Sequence, residues 1–248
     1  MAKRSKDDSQ YVDFNDYSKI TVSAKTEEQK GFLKNISENK ITFVKGYPGS
    51  GKTYLSVAYA LQQLFRKKFE RIVFTRPVIE AAGEKLGFLP GDMAEKIDPY
   101  MIPIFSSALD MIDGALLKKL TTKNGHDAII QVLPLAYMRG YTFKNTIVVC
   151  DEMQNSTPEQ VRMLLTRIGL GSKMILAGDI KQSDIDKVNG LSDAFELLYG
   201  VPEIGFVTTT EKSVCRDPII TAIEDRYDNR ELYQKPRTKK TYNRQISV

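Results

Sequence analysis

The feature that most constrains the fold is a glycine-rich segment between an apolar run and a helical pattern. Residues 41–45, Ile-Thr-Phe-Val-Lys, are mostly β-branched or aromatic and predict a strand. The eight residues from Gly46 to Thr53 then match the pattern Gly-x-x-x-x-Gly-Lys-Thr. Apolar residues recur at helical spacing from Leu55 to Phe65, which predicts a helix that opens at Thr53. Strand, loop and helix in this order are the setting of a phosphate-binding loop.

This loop predicts a site for ATP and Mg²⁺. Glycines let backbone N–H groups close around phosphates, and the N-terminus of the following helix adds a positive dipole end. Lys52 is expected to reach the β- and γ-phosphates, and the Thr53 hydroxyl is expected to ligate Mg²⁺. The alternative is a chance glycine turn that caps a helix, which the strand and helix on either side disfavour. The predicted nucleotide-binding residues are Gln29, Gly46, Tyr47, Pro48, Gly49, Ser50, Gly51, Lys52, Thr53 and Tyr54.

Four further apolar runs resemble the first strand and predict an α/β fold. They span residues 71–75, 146–150, 173–177 and 204–208, and helical patterns separate them. Runs that are apolar almost throughout are typical of parallel strands covered on both faces. The sequence therefore predicts a mostly parallel sheet flanked by helices, with ligands bound beyond the carboxyl ends of the strands.

Composition divides the rest of the chain. We expect an N-terminal arm over 1–25, the nucleotide-binding domain over 26–229 and a basic tail over 230–248. Between 77 and 140, short segments rich in Pro, Gly and Met predict a helical insertion on the sheet. The tail contains six Lys or Arg and one Glu, which accounts for the net charge of +5. It could contact phosphates or only keep the chain end solvated, and the sequence leaves both interpretations open.

Composition also disfavours several classes of protein. No stretch approaches the roughly 18 apolar residues of a membrane span, and the polar start of the chain differs from a signal peptide. We therefore expect a cytoplasmic protein without a membrane partner. Cys150 and Cys215 lack Cys-x-x-Cys spacing and predict neither a disulfide nor a zinc site. With His126 as the sole histidine, a His-Glu-x-x-His zinc site is excluded.

Two adjacent carboxylates follow the apolar run at 146–150. Asp151 could hold Mg²⁺ through a water molecule, and Glu152 could orient the water that attacks the γ-phosphate. An acidic strand end that is merely solvated is the alternative, and the apolar strand together with the phosphate loop disfavours it. The pair thus predicts a hydrolase.

Further polar residues could complete the site. Gly178-Asp-x-x-Gln182 closes the next strand with groups that could sense the γ-phosphate and the attacking water, although an Asp-containing turn is an alternative. Gln29 on the first predicted helix could recognise the adenine edge or could be an exposed helix residue. Phosphoryl transfer also calls for an arginine. The candidates are Arg76, Arg139 and Arg216, each of which could instead be a surface or structural arginine.

On these motifs the chain resembles the PhoH-like ATPases, which are single RecA-type domains related to superfamily 1 helicases. The resemblance extends from about Gln29 to Arg226. Its most specific part is Thr-Arg-Pro at 75–77 joined to Gly-Phe-Leu-Pro-Gly-Asp at 87–92. The segments that carry it are residues 46–55, 75–80, 86–92, 96–100, 135–140, 151–155 and 178–182.

The resemblance implies a RecA-like fold, ATP hydrolysis, ring-shaped homo-oligomers of hexamer size, and action on RNA or single-stranded nucleic acid. By helicase analogy, Arg76 and Pro77 would approach the nucleic acid and the Gln29 segment would correspond to the adenine-reading motif. Arg216 would face the γ-phosphate, across a subunit boundary in a ring. Two other functions remain open from the residues: a P-loop kinase, which the Asp151–Glu152 pair and Gln182 disfavour, and a nucleotide-switched regulatory protein.

Overall fold

The computed structural model describes residues 20–77, 93–121, 128–179, 188–215 and 217–230. The helices are α1 (Glu27–Glu38), α2 (Lys52–Phe65), α3 (Met93–Leu109), α4 (Gly114–Thr121), α5 (Pro158–Leu165), α6 (Gly190–Leu197) and α7 (Pro218–Asp228). The strands are β1 (Ile41–Gly46), β2 (Arg71–Thr75), β3 (Ile130–Val132), β4 (Thr146–Cys150), β5 (Lys173–Gly178) and β6 (Ile204–Thr209). One compact unit ends at Val214, and a second, which contains α7, begins at Cys215. The domain limits expected from the sequence, 26–229, stay a prediction.

The strands form one sheet in the order β3-β2-β4-β5-β1-β6, and every neighbouring pair is parallel. The five strands expected from the apolar runs are confirmed. The strand that leads into the phosphate loop, β1, lies between β5 and β6, so β5 separates it from β4. With helices covering both faces, this is the RecA-like α/β fold that the sequence and the resemblance predicted.

Two hydrophobic cores lie on opposite faces of the sheet. On one face, α1, α2, α3 and α4 cover strand residues such as Val44 and Val149, which are fully buried. On the other, α5 and α6 cover the neighbouring residues Phe43 and Val148. Successive strand residues point to opposite faces. Because both faces are covered, most residues of the strands are apolar, which explains why the runs were visible in the sequence.

The ends of α1 are fixed by polar contacts. Thr26 caps its N-terminus by accepting a hydrogen bond from the Gln29 amide at 3.2 Å. At the other end, the buried Lys173 ammonium donates to the carbonyl oxygens of Ile36 and Asn39. Burial lowers the pKa of Lys173. Lys173 thus satisfies carbonyl groups that the C-terminal end of α1 leaves unpaired.

The insertion predicted over 77–140 is only partly helical. It contains α3 and α4, which pack on the α2 face of the sheet, but it also contains β3, which the sequence analysis did not find. Residues Ile72 to Phe74 of β2 pair with Ile130 to Val132 of β3, so β3 forms an edge of the sheet. A strand of three residues is too short for its pattern to be told from that of a helical segment.

Within the ranges that the structure describes, no helix is both long and apolar enough to cross a membrane. The two cysteines differ in environment: Cys150 at the end of β4 is buried, and Cys215 is exposed. Burial, together with the neighbouring Asp151 charge, raises the pKa of the Cys150 thiol well above its usual range. A thiol in this state is unreactive, because the thiolate is the nucleophile.

We therefore expect a thiol reagent to modify one cysteine per native chain. Cys215 should react quickly, and Cys150 should react only after denaturation. Counting released chromophore before and after addition of guanidinium chloride measures this, and Cys215→Ser should abolish the fast reaction. Rapid modification of Cys150 in native protein would show that the end of β4 is not packed as described.

Candidate active site

The glycine-rich loop joins β1 to α2 in a conformation that only glycine adopts easily. Gly51 caps α2 with a left-handed backbone, φ 84°. Gly46 has φ 150°, and a Cβ atom there would lie 2.2 Å from the Thr209 carbonyl oxygen of β6. A side chain at either position would strain or displace the loop. The glycines of the motif are thus explained by the geometry of the loop itself.

The Lys52 side chain lies inside this loop. Its ammonium donates to the carbonyl oxygens of Gly46, at 2.7 Å, and Tyr47, at 2.6 Å. Carbonyl oxygens are weaker partners for a cation than phosphate oxygens, because hydrogen bonds between two charged groups are the stronger ones. A triphosphate chain in the loop would therefore offer the ammonium better partners, and the loop fits such a group.

Gln29 ties the start of α1 to the loop. Its side-chain amide donates to the Ser50 carbonyl oxygen at 3.0 Å, and its oxygen accepts from the Lys25 amide at 2.7 Å. With 4% of its surface exposed, Gln29 is not the exposed helix residue that the sequence left as an alternative. Adenine recognition by Gln29 stays a prediction. What the structure adds is that this amide holds the backbone of the phosphate loop.

Thr53 and Asp151 meet beside the loop. The Thr53 hydroxyl donates to the two carboxylate oxygens of Asp151, at 2.9 Å and 3.1 Å. A threonine hydroxyl that donates to a carboxylate keeps its lone pairs for a cation. Among the described residues, no group of three His, Cys, Asp or Glu side chains could hold a metal. The donor set of the Thr53–Asp151 pair fits Mg²⁺ that would be held by one hydroxyl, by waters on Asp151 and by substrate phosphates.

Arg76 forms an ion pair with the same carboxylate. It directly follows β2, and its guanidinium donates to Asp151 Oδ2 from Nε at 3.1 Å and also from Nη2. The two side chains are 13% and 4% exposed, so the pair is largely withdrawn from water. Glu152 Oε1 lies 3.9 Å from the same guanidinium. Arg76 is thus a cation paired with Asp151 and close to Glu152 in this structure.

Glu152 has a strained backbone and a fixed neighbour. Its φ of 55° is unusual for a residue with a side chain. The buried Gln154 amide donates to Glu152 Oε2 at 2.6 Å, and the Gln154 oxygen accepts from the Asp179 amide at 2.9 Å. Gly178 permits this approach, since a Cβ there would lie 2.5 Å from Gln154 Oε1. Gln154 therefore links the carboxylate after β4 to the end of β5.

A third contact set supports the loop from the β6 side. Glu28 of α1 accepts hydrogen bonds from the Thr210 amide at 2.8 Å, from the Thr210 hydroxyl at 2.6 Å and from the Ser213 hydroxyl. Ser50 Oγ lies 2.9 Å from Thr209 Oγ1. Hydrogen bonds from Ser213 and Thr210 lower the pKa of Glu28. These contacts fix α1, the loop and the segment after β6 relative to one another.

Comparison with known proteins assigns the chain to a family. The family model described as PhoH-like protein matches residues 21–228. This range includes the loop, the carboxylates and Arg76. The chain belongs to the PhoH-like protein family.

Relatives support the same assignment. The PhoH-like protein of Synechocystis sp. is 40% identical over 220 residues, which cover 88% of this chain and 66% of that protein. Protein PhoH of Escherichia coli is 38% identical over 201 residues, which cover 80% of this chain and 56% of that protein. The PhoH-like chain therefore spans less than two thirds of these relatives. Among solved structures, it is similar to the N-terminal domain of the DNA packaging ATPase from bacteriophage phi29, at 17% identity and a TM-score of 0.43 over 74% of this chain and 95% of that one.

The structure of the PhoH-like chain gathers some of the predicted site residues and not others. It brings together Lys52, Thr53, Asp151, Glu152 and Arg76. Arg139 is exposed after the short 3₁₀ helix Leu135–Met138, Tyr54 is partly exposed on α2, and Pro77 is buried. Gln182 and Arg216 lie outside the described residues, as do residues 78–92, which include the Gly-Phe-Leu-Pro-Gly-Asp motif, and the tail after 230. The roles assigned to all of these residues stay predictions.

Sequence reasoning missed two contacts in the PhoH-like chain. Gln154 was not selected, although an amide two residues after Glu152 at a strand end was a usable signal. Arg76 was selected for nucleic acid and as an arginine candidate, but its pairing with Asp151 was not foreseen. That pairing follows from the register in which Thr75 of β2 lies opposite Cys150 of β4, so that the next residues are neighbours.

The Glu28 contacts predict a pH-dependent stability. Because the folded-state pKa of Glu28 is lowered, its contribution is present above the ordinary value of 4.5 and is lost as the pH falls below it. Glu28→Gln should cost about 1 kcal/mol near pH 7, or about 2–4 °C in melting temperature. Thermal melts of wild type and variant should converge below pH 4. Glu27→Gln, which alters the exposed neighbour, is the control and should change little. A constant difference between wild type and Glu28→Gln down to pH 3 would contradict the assignment.

Proposed function

We propose that this PhoH-like chain binds ATP with Mg²⁺ in the phosphate loop and hydrolyses it, and that hydrolysis drives remodelling of RNA or single-stranded nucleic acid by a homo-oligomeric ring. The observation that carries the hydrolytic part is the hydrogen bond from Thr53 to Asp151. It joins a predicted metal-binding hydroxyl to a predicted metal-binding carboxylate at the mouth of the loop. Glu152, the next residue, supplies the carboxylate that a hydrolase needs for water.

Each residue has a separate role in this proposal. Backbone N–H groups of residues 46–53 and the N-terminus of α2 bind the phosphate oxygens. Lys52 exchanges its loop carbonyl partners for β- and γ-phosphate oxygens, and stabilises charge there. Thr53 and Asp151 would hold Mg²⁺, which would supply electrostatic stabilisation of the phosphate oxygens. Glu152 orients a water whose oxygen forms a bond to the γ-phosphorus as the bond to the ADP oxygen breaks.

Gln154 is a positioning residue in this scheme. It donates to Glu152 Oε2 and accepts from the Asp179 amide, so it fixes the carboxylate relative to the end of β5. The end of β5 begins the segment that contains the predicted sensor Gln182. A carboxylate that orients water must keep its position to within a fraction of an ångström, because small misplacements reduce rates strongly.

The nucleic-acid and ring parts of the proposal rest on the family resemblance and on Arg76 and Pro77. The mouth of the site holds two basic side chains, Lys52 and Arg76, and Arg76 belongs to the Thr-Arg-Pro segment that the resemblance assigns to nucleic acid. Membership in the PhoH-like family and the P-loop site support an ATPase. RNA binding and assembly into a hexamer are further parts of the proposal.

The central test is ATP turnover by purified protein with and without single-stranded RNA. Wild type should hydrolyse ATP with Mg²⁺. Lys52→Ala should reduce turnover by about a hundredfold or more, because it removes a group that stabilises charge in the transition state. Glu152→Gln should bind nucleotide but hydrolyse it at least about a hundredfold more slowly. Turnover that survives Lys52→Ala would overturn the assignment of the site.

Two further arms of the same test address the motor. Single-stranded RNA should stimulate turnover, a tailed duplex should be separated, and light scattering should give the mass of a hexamer. An active ATPase that neither binds nor responds to RNA would retain the ATPase assignment and lose the motor. Slow turnover with ATP-dependent capture of a partner would favour the nucleotide-switched regulator, and transfer of phosphate from ATP to an added acceptor would favour a kinase.

Substitution of Gln154 tests the positioning role. Gln154→Glu keeps an acceptor for the Asp179 amide but replaces the donor to Glu152 with a second carboxylate. We expect kcat to fall by about tenfold or more, because Glu152 is repelled from its position, while nucleotide affinity stays near wild type. Steady-state kinetics and a fluorescent nucleotide titration separate the two. A loss of affinity with unchanged kcat would place Gln154 in binding and contradict its link to Glu152.

A further inference from the structure

The ion pair between Arg76 and Asp151 lies where the proposed metal site has its carboxylate. Two nitrogen atoms of the guanidinium, Nε and Nη2, donate to Asp151 Oδ2. Arg76 is 13% exposed and Asp151 is 4% exposed. Both are therefore shielded from water, in which such a pair would be weak. An arginine cannot give up its charge by losing a proton, so this cation can leave the carboxylate only by moving.

The acceptor capacity of Asp151 is largely used in this arrangement. An ionised carboxylate accepts about four hydrogen bonds. Thr53 donates to both oxygens, and Arg76 donates twice to Oδ2. Waters bound to Mg²⁺ would donate to the same oxygens. The Thr53 contact is compatible with a metal, because the hydroxyl can ligate and donate at once, whereas the Arg76 contacts compete with metal-bound water.

We propose that Arg76 acts as a resident substitute for the divalent cation at Asp151, is displaced from that carboxylate when Mg²⁺ binds with nucleotide, and thereby sets the Mg²⁺ concentration at which the site fills. The inference rests on the proposed function, in which the loop holds a magnesium nucleotide. It assigns to Arg76 a role in metal affinity that is separate from contact with nucleic acid.

Electrostatics favours displacement over coexistence. A guanidinium in contact with Asp151 and a dication held through the same carboxylate would be like charges a few ångströms apart in a poorly solvated site. Lys52 adds a third positive group nearby. In the metal-free state the situation reverses, because an unpaired buried carboxylate is costly and Arg76 neutralises it. The same arginine is thus favourable before the metal binds and unfavourable after.

The backbone allows this exchange without unfolding. The Asp151 amide donates to the Thr75 carbonyl oxygen at 3.0 Å, so the residue before Arg76 is fixed to the residue that follows β4. Pro77 on the other side is buried, and its ring limits the conformations of the residue that precedes it. The guanidinium must therefore move by rotation of its own side chain. Glu152 Oε1, 3.9 Å away, is an acidic neighbour toward which it can turn.

The test measures binding of a non-hydrolysable fluorescent ATP analogue as a function of free Mg²⁺ concentration. Arg76→Gln removes the charge but keeps an amide that can donate to Asp151. Because the buried carboxylate keeps a hydrogen-bond donor, we expect this variant to fold. A positive charge close to a carboxylate shifts the pKa of that group by about 1–3 units, and we expect it to change the affinity for another cation by a similar factor. We therefore expect the half-saturating Mg²⁺ concentration to fall by about tenfold or more in Arg76→Gln. Arg76→Lys, which keeps the charge, should stay closer to wild type.

The matched control is Arg71→Gln. Arg71 begins the same strand and is exposed, roughly 16 Å from Arg76 along β2. Removal of its charge should leave the half-saturating Mg²⁺ concentration unchanged, since exposed charges at this distance are screened. A melting curve of each variant confirms that it is folded. If Arg76→Gln does not fold, Arg76→Lys takes its place. A lysine cannot donate from two nitrogen atoms as the guanidinium does, so the half-saturating Mg²⁺ concentration should still decrease, but by less.

The outcomes separate the inference from the proposed function. If wild type binds no nucleotide at any Mg²⁺ concentration, the proposed function fails. If wild type binds it but Arg76→Gln raises the half-saturating Mg²⁺ concentration or leaves it unchanged, Arg76 only orients Asp151 and the inference alone is overturned. An equal decrease in Arg71→Gln would show a general effect of net charge and would also overturn it.

Discussion

The hydrogen bond from Thr53 to Asp151 depends on the order of three strands. Its two residues are 98 positions apart in the chain. Thr53 follows the loop after β1 and Asp151 follows β4, and β5 lies between these two strands. Neighbouring strands are about 4.8 Å apart, so the ends of β1 and β4 are separated by about 10 Å. The loop and first turn of α2 cross that gap. A shift of one residue in the register of β5 would move Asp151 by about 3.3 Å and break a bond of this length.

Strain at Glu152 follows from the same requirement. In a strand, consecutive side chains point to opposite faces, so Asp151 and Glu152 could not both serve one site if β4 simply continued. The left-handed backbone at Glu152 ends that alternation, and such a conformation costs about 1–3 kcal/mol. Its neighbours hold it: the Asn155 amide donates to the Glu152 carbonyl oxygen at 3.0 Å, and Gln154 fixes the side chain. Packed surroundings thus maintain a conformation that the local sequence does not favour.

The sequence predicts those parts of the structure that short-range patterns encode. Buried parallel strands are apolar almost throughout, so five strands were predicted close to their observed limits. The glycine loop and the Asp151–Glu152 pair were predictable because both follow strands, and parallel strands end at one edge of the sheet. In contrast, the Arg76 pair requires β2 to lie beside β4, a choice of neighbours that no local pattern specifies. The burial of Gln29 against Ser50 likewise depends on how α1 packs.

The two cations of the site are held by partners of different strength, and this difference separates their responses. Lys52 donates to neutral carbonyl oxygens of the loop, so phosphate oxygens can replace these partners with a gain, because a bond to a charged acceptor is roughly twice as strong. Arg76 already has a carboxylate partner, and a phosphate offers it little improvement unless another cation takes over Asp151. In the function proposed here, the triphosphate would therefore act on Lys52 and the metal would act on Arg76. In this proposal Lys52 and Arg76 each have a partner before ligand arrives, and both would change partners only when nucleotide and metal are present together.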